Sequence, residues 1–556
     1  MVDRKDASLR RFLLRTGGAL VLFLILSACA ASLSTPPEPD ELVLRDVAAD
    51  VGVSFFQSAF RWGPSPDPVA MMGGGVCWLD YDNDGWMDLY AVNTYSLDEY
   101  STWIDEGGLP RNALYHNAGG TFDDVSSRSG ADLSVRGSGC VTGDLNNDGY
   151  PDIYVTTARS NALLWNNGDG TFTEAADESG VGGFGWQTGA AIGDVNGDGW
   201  NDLFVAGYVD INNRIPGATL GFPNTNLGRE DLLYISNGAD SRGVVTFTNV
   251  APMLGIDQVE PEYGLGAVFT DVDLDGDLDL YVANDTNPNR LYRNDPSDGP
   301  FGFGFTEIGA SAGVADEDSG MGLAIGDYDE NGMFDTFITN FGDQNHGVYL
   351  NESGETVLYV SGVDTFGVED LGVGVTGWGA SFFDLDNDTD LDLLIANGLV
   401  PIVELSASAE PMQYLERSDG AYSDRSVELG VSGLGDLNAR GLAVADFDND
   451  GDLDIAVSQI GGPLLILENA GPKLGYVTIS LGRFAPGAIV RATLADGTVL
   501  MREIRAGGSY LSSEDQRAHF GIGNEPTIEV RVTWPDGTET DVGTVDANSF
   551  VTVEYP

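Results

Sequence analysis

Nine residues recur seven times along this chain. The copies are DYDNDGWMD (80–88), DLNNDGYPD (144–152), DVNGDGWND (194–202), DVDLDGDLD (271–279), DYDENGMFD (327–335), DLDNDTDLD (384–392) and DFDNDGDLD (446–454). Their starts lie 64, 50, 77, 56, 57 and 62 residues apart. A period of this size marks stacked supersecondary units, none of which buries its own apolar face alone. Each copy follows a Gly-containing apolar run, such as GGGVCWLD or GLGAVFTD, and precedes a short run such as DLYAVN, DIYVTT or DLLIAN. These runs are β-branched and aromatic, apolar on both faces, and bounded by turn residues, so they read as buried strands. Segments like NALYHN (112–117), NALLWN (161–166) and NRLYRN (289–294) follow, and then FDDVSSRSGA (122–131) or FTEAADESGV (172–181). Four strands per unit and seven units predict an all-β, seven-bladed β-propeller over 43–470. The seventh unit lacks its Phe-type fourth strand, and LRDVAADVGV (44–53) supplies a matching piece. That piece is expected to close the ring and leave no open sheet edge.

Like charges about 4 Å apart repel by roughly 1 kcal/mol in water and by more beside an apolar core. Acids crowded at positions 1, 3, 5 and 9 of a loop, with Gly at 6 for the reversal, converge instead on one hard cation. All-oxygen ligation suits Ca²⁺ better than Zn²⁺ or Mg²⁺. The expected ligands are Asp80, Asp82, Asp84 and Asp88 in the first copy and Asp144, Asn146, Asp148 and Asp152 in the second. The third offers Asp194, Asn196, Asp198 and Asp202, and the fourth Asp271, Asp273, Asp275 and Asp279. Asp327, Asp329, Asn331 and Asp335 follow, then Asp384, Asp386, Asp388 and Asp392, then Asp446, Asp448, Asp450 and Asp454. Up to seven Ca²⁺ ions are thereby predicted. Thr389 stands where the sixth copy should have Gly, so that site is expected to be the weakest. An EF-hand is excluded, because position 12 falls on Ala91 or Val282 inside a strand. Seven polar turns that never hold metal are the alternative.

The repeats resemble FG-GAP/VCBS repeats, which implies an integrin α-like propeller. MMGGGVCWLDYDNDGWMDLYAVN (71–93) is similar to the opening blade of bacterial proteins of the cartilage acidic protein-like family. That family often has His in an F-x-H pattern shortly before this stretch, where SFFQS (54–58) here offers Gln57. The tail resembles the ASPIC/UnbV domain through REIRAGGSYLSS (502–513), HFGIG (519–523) and VTWPDGT (532–538). The resemblance implies calcium binding and extracytoplasmic placement. The residues of 474–556 themselves read as a small antiparallel β domain with turns at Asp496–Gly497 and Asp536–Gly537.

Residues 1–28 read as a signal peptide: a basic start, then the short apolar GGALVLFLILSA (17–28). LSAC resembles a bacterial lipobox, which implies cleavage before Cys29 and lipid on its sulfur; an ordinary secretory signal is the alternative. Ala30 after Cys29 implies the outer membrane, facing either the periplasm or the cell surface. Residues 29–42 read as a flexible tether. Acids outnumber bases 87 to 26, for a net charge of −61. Such a surface repels nucleic acid and favours cations, basic partners or high-salt surroundings.

Cys77 and Cys140 lie three and four residues before their loops, on neighbouring first strands that face each other. A disulfide and two buried thiols are both open readings. His116, His346 and His519 are not spaced for a Zn site, and no nucleophile motif is present. His519 is expected to make a structural hydrogen bond. Long insertions at 94–111, 208–230 and 398–413 fall in loops between second and third strands, opposite the acidic loops. Recognition often sits on such insertions, and Tyr95, Tyr100, Trp103 and Phe222 are the candidate contacts. The sequence thus points to a calcium-binding, lipid-anchored scaffold or adhesion module for a protein or glycan, without catalytic activity. The alternatives are a carbohydrate-active enzyme using rim carboxylates, or a structural part of an envelope complex.

Overall fold

The computed structural model describes residues 43–256, 261–367, 370–418, 420–471 and 474–556, so the expected signal peptide, the expected lipidation site Cys29 and the expected tether lie outside the described residues. Seven four-stranded antiparallel sheets form the blades, six in simple meander order and the seventh completed by the first strand. In blade 1 the strands are Val76–Leu79, Asp88–Ala91, Ala113–Asn117 and Phe122–Asp124. Blade 7 comprises Ala439–Ala445, Asp454–Gln459 and Leu465–Asn469, and its outer strand is Leu44–Asp46 from the beginning of the described chain. Leu44 pairs with Asn469 and Asp46 with Leu467, which is the expected closure. The innermost strand of every blade packs on that of the next, and blade 7 packs on blade 1, so the ring is complete.

The strands alternate little because both faces are covered. Asp152–Thr157 and Asp279–Asn284 are buried at every residue, as expected where each sheet lies between two others. Short outer strands such as Phe122–Asp124 turn into one helical turn, Ser126–Ser129, that ends at Gly130 with φ +80°. Gly180, Gly255, Gly313 and Gly367 end the equivalent turns in blades 2 to 5. This left-handed closing position favours glycine, and it explains the SGA and SGV endings of the repeats.

The C-terminal domain departs from the antiparallel expectation. Gly475–Leu481 pairs antiparallel with Ala518–Gly523 but parallel with Ser549–Val553. A second sheet orders Val499–Glu503, Ile489–Thr493, Thr527–Thr533 and Glu539–Asp546. The two sheets share an apolar core that includes Val477, Phe520, Val530 and Trp534.

Between Glu503 and Ala518 the domain sends a segment through the middle of the ring. Ala506 bridges Ile192, Ser509 bridges Leu323, and Ser513 bridges Cys77, each on the innermost strand of a different blade. The Cys140 amide donates to the Leu511 carbonyl at 3.1 Å, and the Asp515 amide to that of Val444 at 3.0 Å. Glu503 accepts from Thr270 Oγ1 at 2.7 Å and from the Asp271 amide at 3.0 Å. Tyr510 is fully buried and packs edge-on against Trp378, ring centroids 4.9 Å apart. This segment accounts for some of the glycines before the acidic loops and the neighbouring blade for others, since a Cβ on Gly189 would lie 2.6 Å from the Leu265 carbonyl oxygen. A Cβ on Gly139 would lie 2.5 Å from the Leu511 carbonyl oxygen, and one on Gly75 would overlap that oxygen outright. The ring is a plugged ring, and Gly75 and Gly139 make room for the plug.

Candidate metal loops and the opposite rim

Six of the seven acidic loops close on themselves by one recurring set of bonds, and in blade 5 the Asn331 amide donates to Asp329 instead of to position 1. In blade 2, Asp144 accepts the Asp148 amide at 3.2 Å and the Gly149 amide at 2.9 Å. Asp148 accepts the Tyr150 amide at 3.0 Å. Position 4 is left-handed in every copy: Asn83 has φ +59°, Asn147 +58°, Leu274 +57°, Glu330 +61°, Asn387 +59° and Asn449 +54°, with Gly197 at +68°. The reversal thus sits at positions 4 and 6 together, whereas the sequence pointed only to position 6.

Position 9 has a second task that sequence reasoning did not assign. Asp152 is fully buried; its Oδ2 accepts the Leu145 amide at 3.0 Å and its Oδ1 the Asn166 amide at 2.8 Å. Asp279 does the same with Val272 and Asn294, and Asp454 with Phe447 and Asn469. These carboxylates tie the loop to the third strand, and each oxygen, having accepted one amide, keeps a lone pair for a cation. In five blades the residue so held is an asparagine that then reaches the preceding blade, while Ser236 and Arg417 take its place in blades 3 and 6. Asn166 Nδ2 donates to the Tyr81 carbonyl at 2.8 Å, and Asn469 Nδ2 to that of Leu385 at 2.7 Å. The signal was present in the repeated final Asn of NALYHN, NALLWN and NRLYRN.

The groups fit a dication bound through oxygen. One ligand atom from each of Asp80, Asp82 and Asp84 lies within 4.8 Å of the others, and so it is for Asp271, Asp273 and Asp279. Asp327, Asp329 and Asp335 form another such group, as do Asp384, Asp386 and Asp388. Asp82 Oδ1 and Asp273 Oδ1 are buried with no hydrogen-bond partner. A buried orphan oxygen at a ligand position is costly unless something cationic faces it. Burial raises Asp80 to about 6 and Asp271 to about 7, with neighbouring carboxylates pushing the same way. Asp88 is raised to about 9, again chiefly by burial.

His116 also belongs to this neighbourhood. Its Nδ1 lies 3.3 Å from Asp88 Oδ1 and 3.5 Å from Asp82 Oδ2. It comes from the third strand, where the sequence places it, but its approach to the acidic loop was not legible there. His519 is structural as expected: Nδ1 meets Thr478 Oγ1 at 3.1 Å and Nε2 meets Asn387 Oδ1 at 2.8 Å. Burial lowers it to about 3, so it stays neutral. Thr389 adopts φ +95°, a conformation a β-branched side chain resists. Cys77 and Cys140 are joined in a disulfide between blades 1 and 2.

The other rim carries the insertions, because the second strand of each blade separates its two ends. Of the four proposed contacts, Tyr100 and Phe222 are exposed, at 46% and 42%. Tyr95 and Trp103 are buried at 8% each. Trp103 packs edge-on against Trp62, and Arg61 lies over both rings, so Trp103 serves the local core. Trp62 and Phe184, which the sequence did not single out, are exposed at 46% and 73%. Gln57 is buried; its Oε1 accepts the Ala59 amide at 3.0 Å and the Gly461 amide at 2.9 Å, joining the first segment to blade 7.

Fold and loops together define an FG-GAP-repeat propeller with an appended C-terminal module. The family model described as FG-GAP-like repeat matches residues 80–155, 144–205 and 271–338, and that described as ASPIC and UnbV matches 480–556. The chain carries FG-GAP-like repeats and an ASPIC/UnbV domain. It is similar to cartilage acidic protein 1 of Xenopus tropicalis, at 28% identity over 60% of this chain and 52% of that protein. The human protein of that name is 28% identical over 60% of this chain and 50% of its own length. The chain thus spans about half the length of the curated relatives it matches. Among solved structures, an Agrocybe aegerita lectin recognising non-reducing terminal N-acetylglucosamine aligns with TM-score 0.38 and 15% identity, over 66% of this chain and 88% of its own. A thermostable family-43 glycoside hydrolase aligns with TM-score 0.29 and 13% identity, over 51% of this chain and 92% of its own.

Proposed function

We propose that the chain is a calcium-stabilised, extracytoplasmic binding scaffold, held to a bacterial outer membrane through lipid on Cys29, whose insertion rim engages a protein or a glycan without chemistry. The observation that carries the metal reading is the pair of buried, unpartnered oxygens on Asp82 and Asp273, set among other carboxylates in equivalent loops. Bound Ca²⁺ supplies positive charge and oxygen coordination to each loop. The chain's own residues do the rest: position-1 carboxylates fold the loop, and position-9 carboxylates anchor it to the blade.

The recognition reading rests on exposed aromatic side chains at the insertion rim, Tyr100 and Phe222 with Trp62 and Phe184. Flat rings beside polar groups suit sugar faces and protein hot spots alike. Two rim carboxylates are engaged in structure: Asp67 pairs with Arg136 at 2.6 Å, and Glu99 accepts the Arg61 and Trp62 amides at 3.1 Å each. A glycan array with parallel reducing-sugar assays tests this. Binding that is lost in Tyr100→Ala or Phe222→Ala, without sugar release, supports the scaffold. Turnover abolished by one rim carboxylate variant would establish an enzyme instead. Fatty-acid labelling that disappears in Cys29→Ser tests the anchor.

A further inference from the structure

Four loop asparagines join neighbouring loops end to end. Asn387 Nδ2 donates to the Gly451 carbonyl at 3.1 Å, and Asn449 Nδ2 to that of Gly85 at 3.0 Å. Asn83 Nδ2 donates to the Gly149 carbonyl at 2.8 Å, and Asn147 Nδ2 to that of Gly199 at 2.8 Å. In each case position 4 of one loop holds position 6 of the next. The series runs from blade 6 through 7, 1 and 2 to 3. It stops there because position 4 is Gly197, Leu274 or Glu330 in the remaining copies.

The asparagines are not explained by backbone conformation alone. Asn favours left-handed geometry, but Leu274 and Glu330 reach φ +57° and +61° at the same position. What Asn adds is a donor aimed across the blade boundary. Position 6 in turn is held by its own loop: the Gly149 amide donates to Asp144 and the Gly85 amide to Asp80, both at 2.9 Å. Whatever closes one loop therefore fixes an acceptor for the asparagine before it.

The C-terminal domain sets the head of the series. His519 Nε2 lies 2.8 Å from Asn387 Oδ1, and with that oxygen accepting, the Asn387 amide is turned towards Gly451. Arg517 Nη1 donates to Asn449 Oδ1 at 2.9 Å and Nη2 to the Asp446 carbonyl at 2.8 Å. The amide oxygens of two of the four links are thus held by this domain.

We propose that Asn387, Asn449, Asn83 and Asn147 are positioning residues that couple five metal loops into one cooperative calcium-binding arc, leaving the loops of blades 4 and 5 outside it. The proposal rests on the calcium reading of the loops. Coupling is reciprocal, so a loop that loses its ion weakens its neighbour by the same factor.

Trp86, at position 7 of the first loop, donates its amide to Asp84 at 3.0 Å and reports closure of that loop. The test is a calcium titration of the full-length chain followed by Trp86 fluorescence, with a Trp86→Phe chain as background. Disabling the second loop with Asp148→Ala should raise the half-saturating calcium at the first loop by about threefold to tenfold, the span of one hydrogen bond. In an Asn83→Gly background, which keeps the left-handed backbone, the same change should have no effect. Asp329→Ala in blade 5 should leave the Trp86 curve in place. A Trp86 response to calcium that ignores Asp148→Ala, or that shifts equally with and without Asn83, overturns the coupling alone. No calcium response in the unsubstituted chain, with metal analysis showing no bound calcium, overturns the metal reading itself.

Discussion

Gly139 on the inner strand of blade 2 faces the Leu511 carbonyl oxygen so closely that an added Cβ would stand 2.5 Å from it and 2.6 Å from Leu511 Cβ. The two residues belong to different domains by sequence but to one packed interior. Gly139→Ala must displace the plug or the blade, and overpacking of this kind costs about 1–3 kcal/mol. A melting temperature lowered by several degrees is expected, while Gly221→Ala, with open space around it, should leave the transition unmoved. An unchanged melt in Gly139→Ala would show that the plug is not seated in solution.

Removing metal should loosen the ring. A site saturated a hundredfold above its Kd contributes about 2.7 kcal/mol, so chelation is expected to lower the melting temperature markedly. The metal-free chain should also have a definite pH dependence. Asp271, Asp446 and Asp386 are raised to about 7, Asp335 to about 8 and Asp88 to about 9, all first by burial, from an ordinary 3.8. Their protons stay on in the fold and come off in the unfolded chain. Stability therefore falls as pH rises through these values, because the native state binds more protons. His346 and His519, lowered to about 3 by burial, are neutral in both states over most of this window. In EDTA the melting temperature should drop from pH 7 to 9; in calcium, which neutralises the ionised carboxylates, the drop should vanish. Calorimetry in both buffers checks the sign.

Blade 6 offers a gain. Thr389 holds φ +95°, yet its amide donates to Asp384 Oδ2 at 2.9 Å as glycine would. Thr389→Gly keeps that bond and removes strain of order 1 kcal/mol or more. The variant should melt higher in calcium and bind the ion more tightly, measured by isothermal titration.

Position 9 separates structural from metal-binding roles. Asp152→Asn loses acceptance of one of two backbone amides, at about 1–3 kcal/mol, and should destabilise the chain even in EDTA. Asp148→Ala, which caps only its own loop, should act chiefly in calcium. Equal losses in both buffers for both variants would contradict this division.

The repeat period, the ring closure by Leu44–Asp46 and the acidic loops were all legible, because local spacing and side-chain type encode them. The plug was not. REIRAGGSYLSS could be read as a family mark, but its partners Ile192, Leu323 and Cys77 are scattered through the sequence and no local pattern points to them. The inner glycines were visible without their cause for the same reason. Alternation gives strands but not their neighbours' direction, so the parallel pairing of Gly475–Leu481 with Ser549–Val553 was hidden. Tyr95 and Trp103 looked like contacts because insertions tend to be solvated, yet this one folds back around Arg61 and Trp62.

Leu44–Asp46 is the earliest described strand along the chain, and its partner in blade 7 stands 420 residues further on, as between Asp46 and Ile466. The plug is later still: Ser512 meets Val76 across 436 residues. A nascent chain therefore cannot finish its ring until nearly all of it has been made. Until then it carries an unzipped edge on its last blade and a hollow centre. Assembly with such distant pairings is slow, and the half-made wheel is the state a folding helper would have to guard.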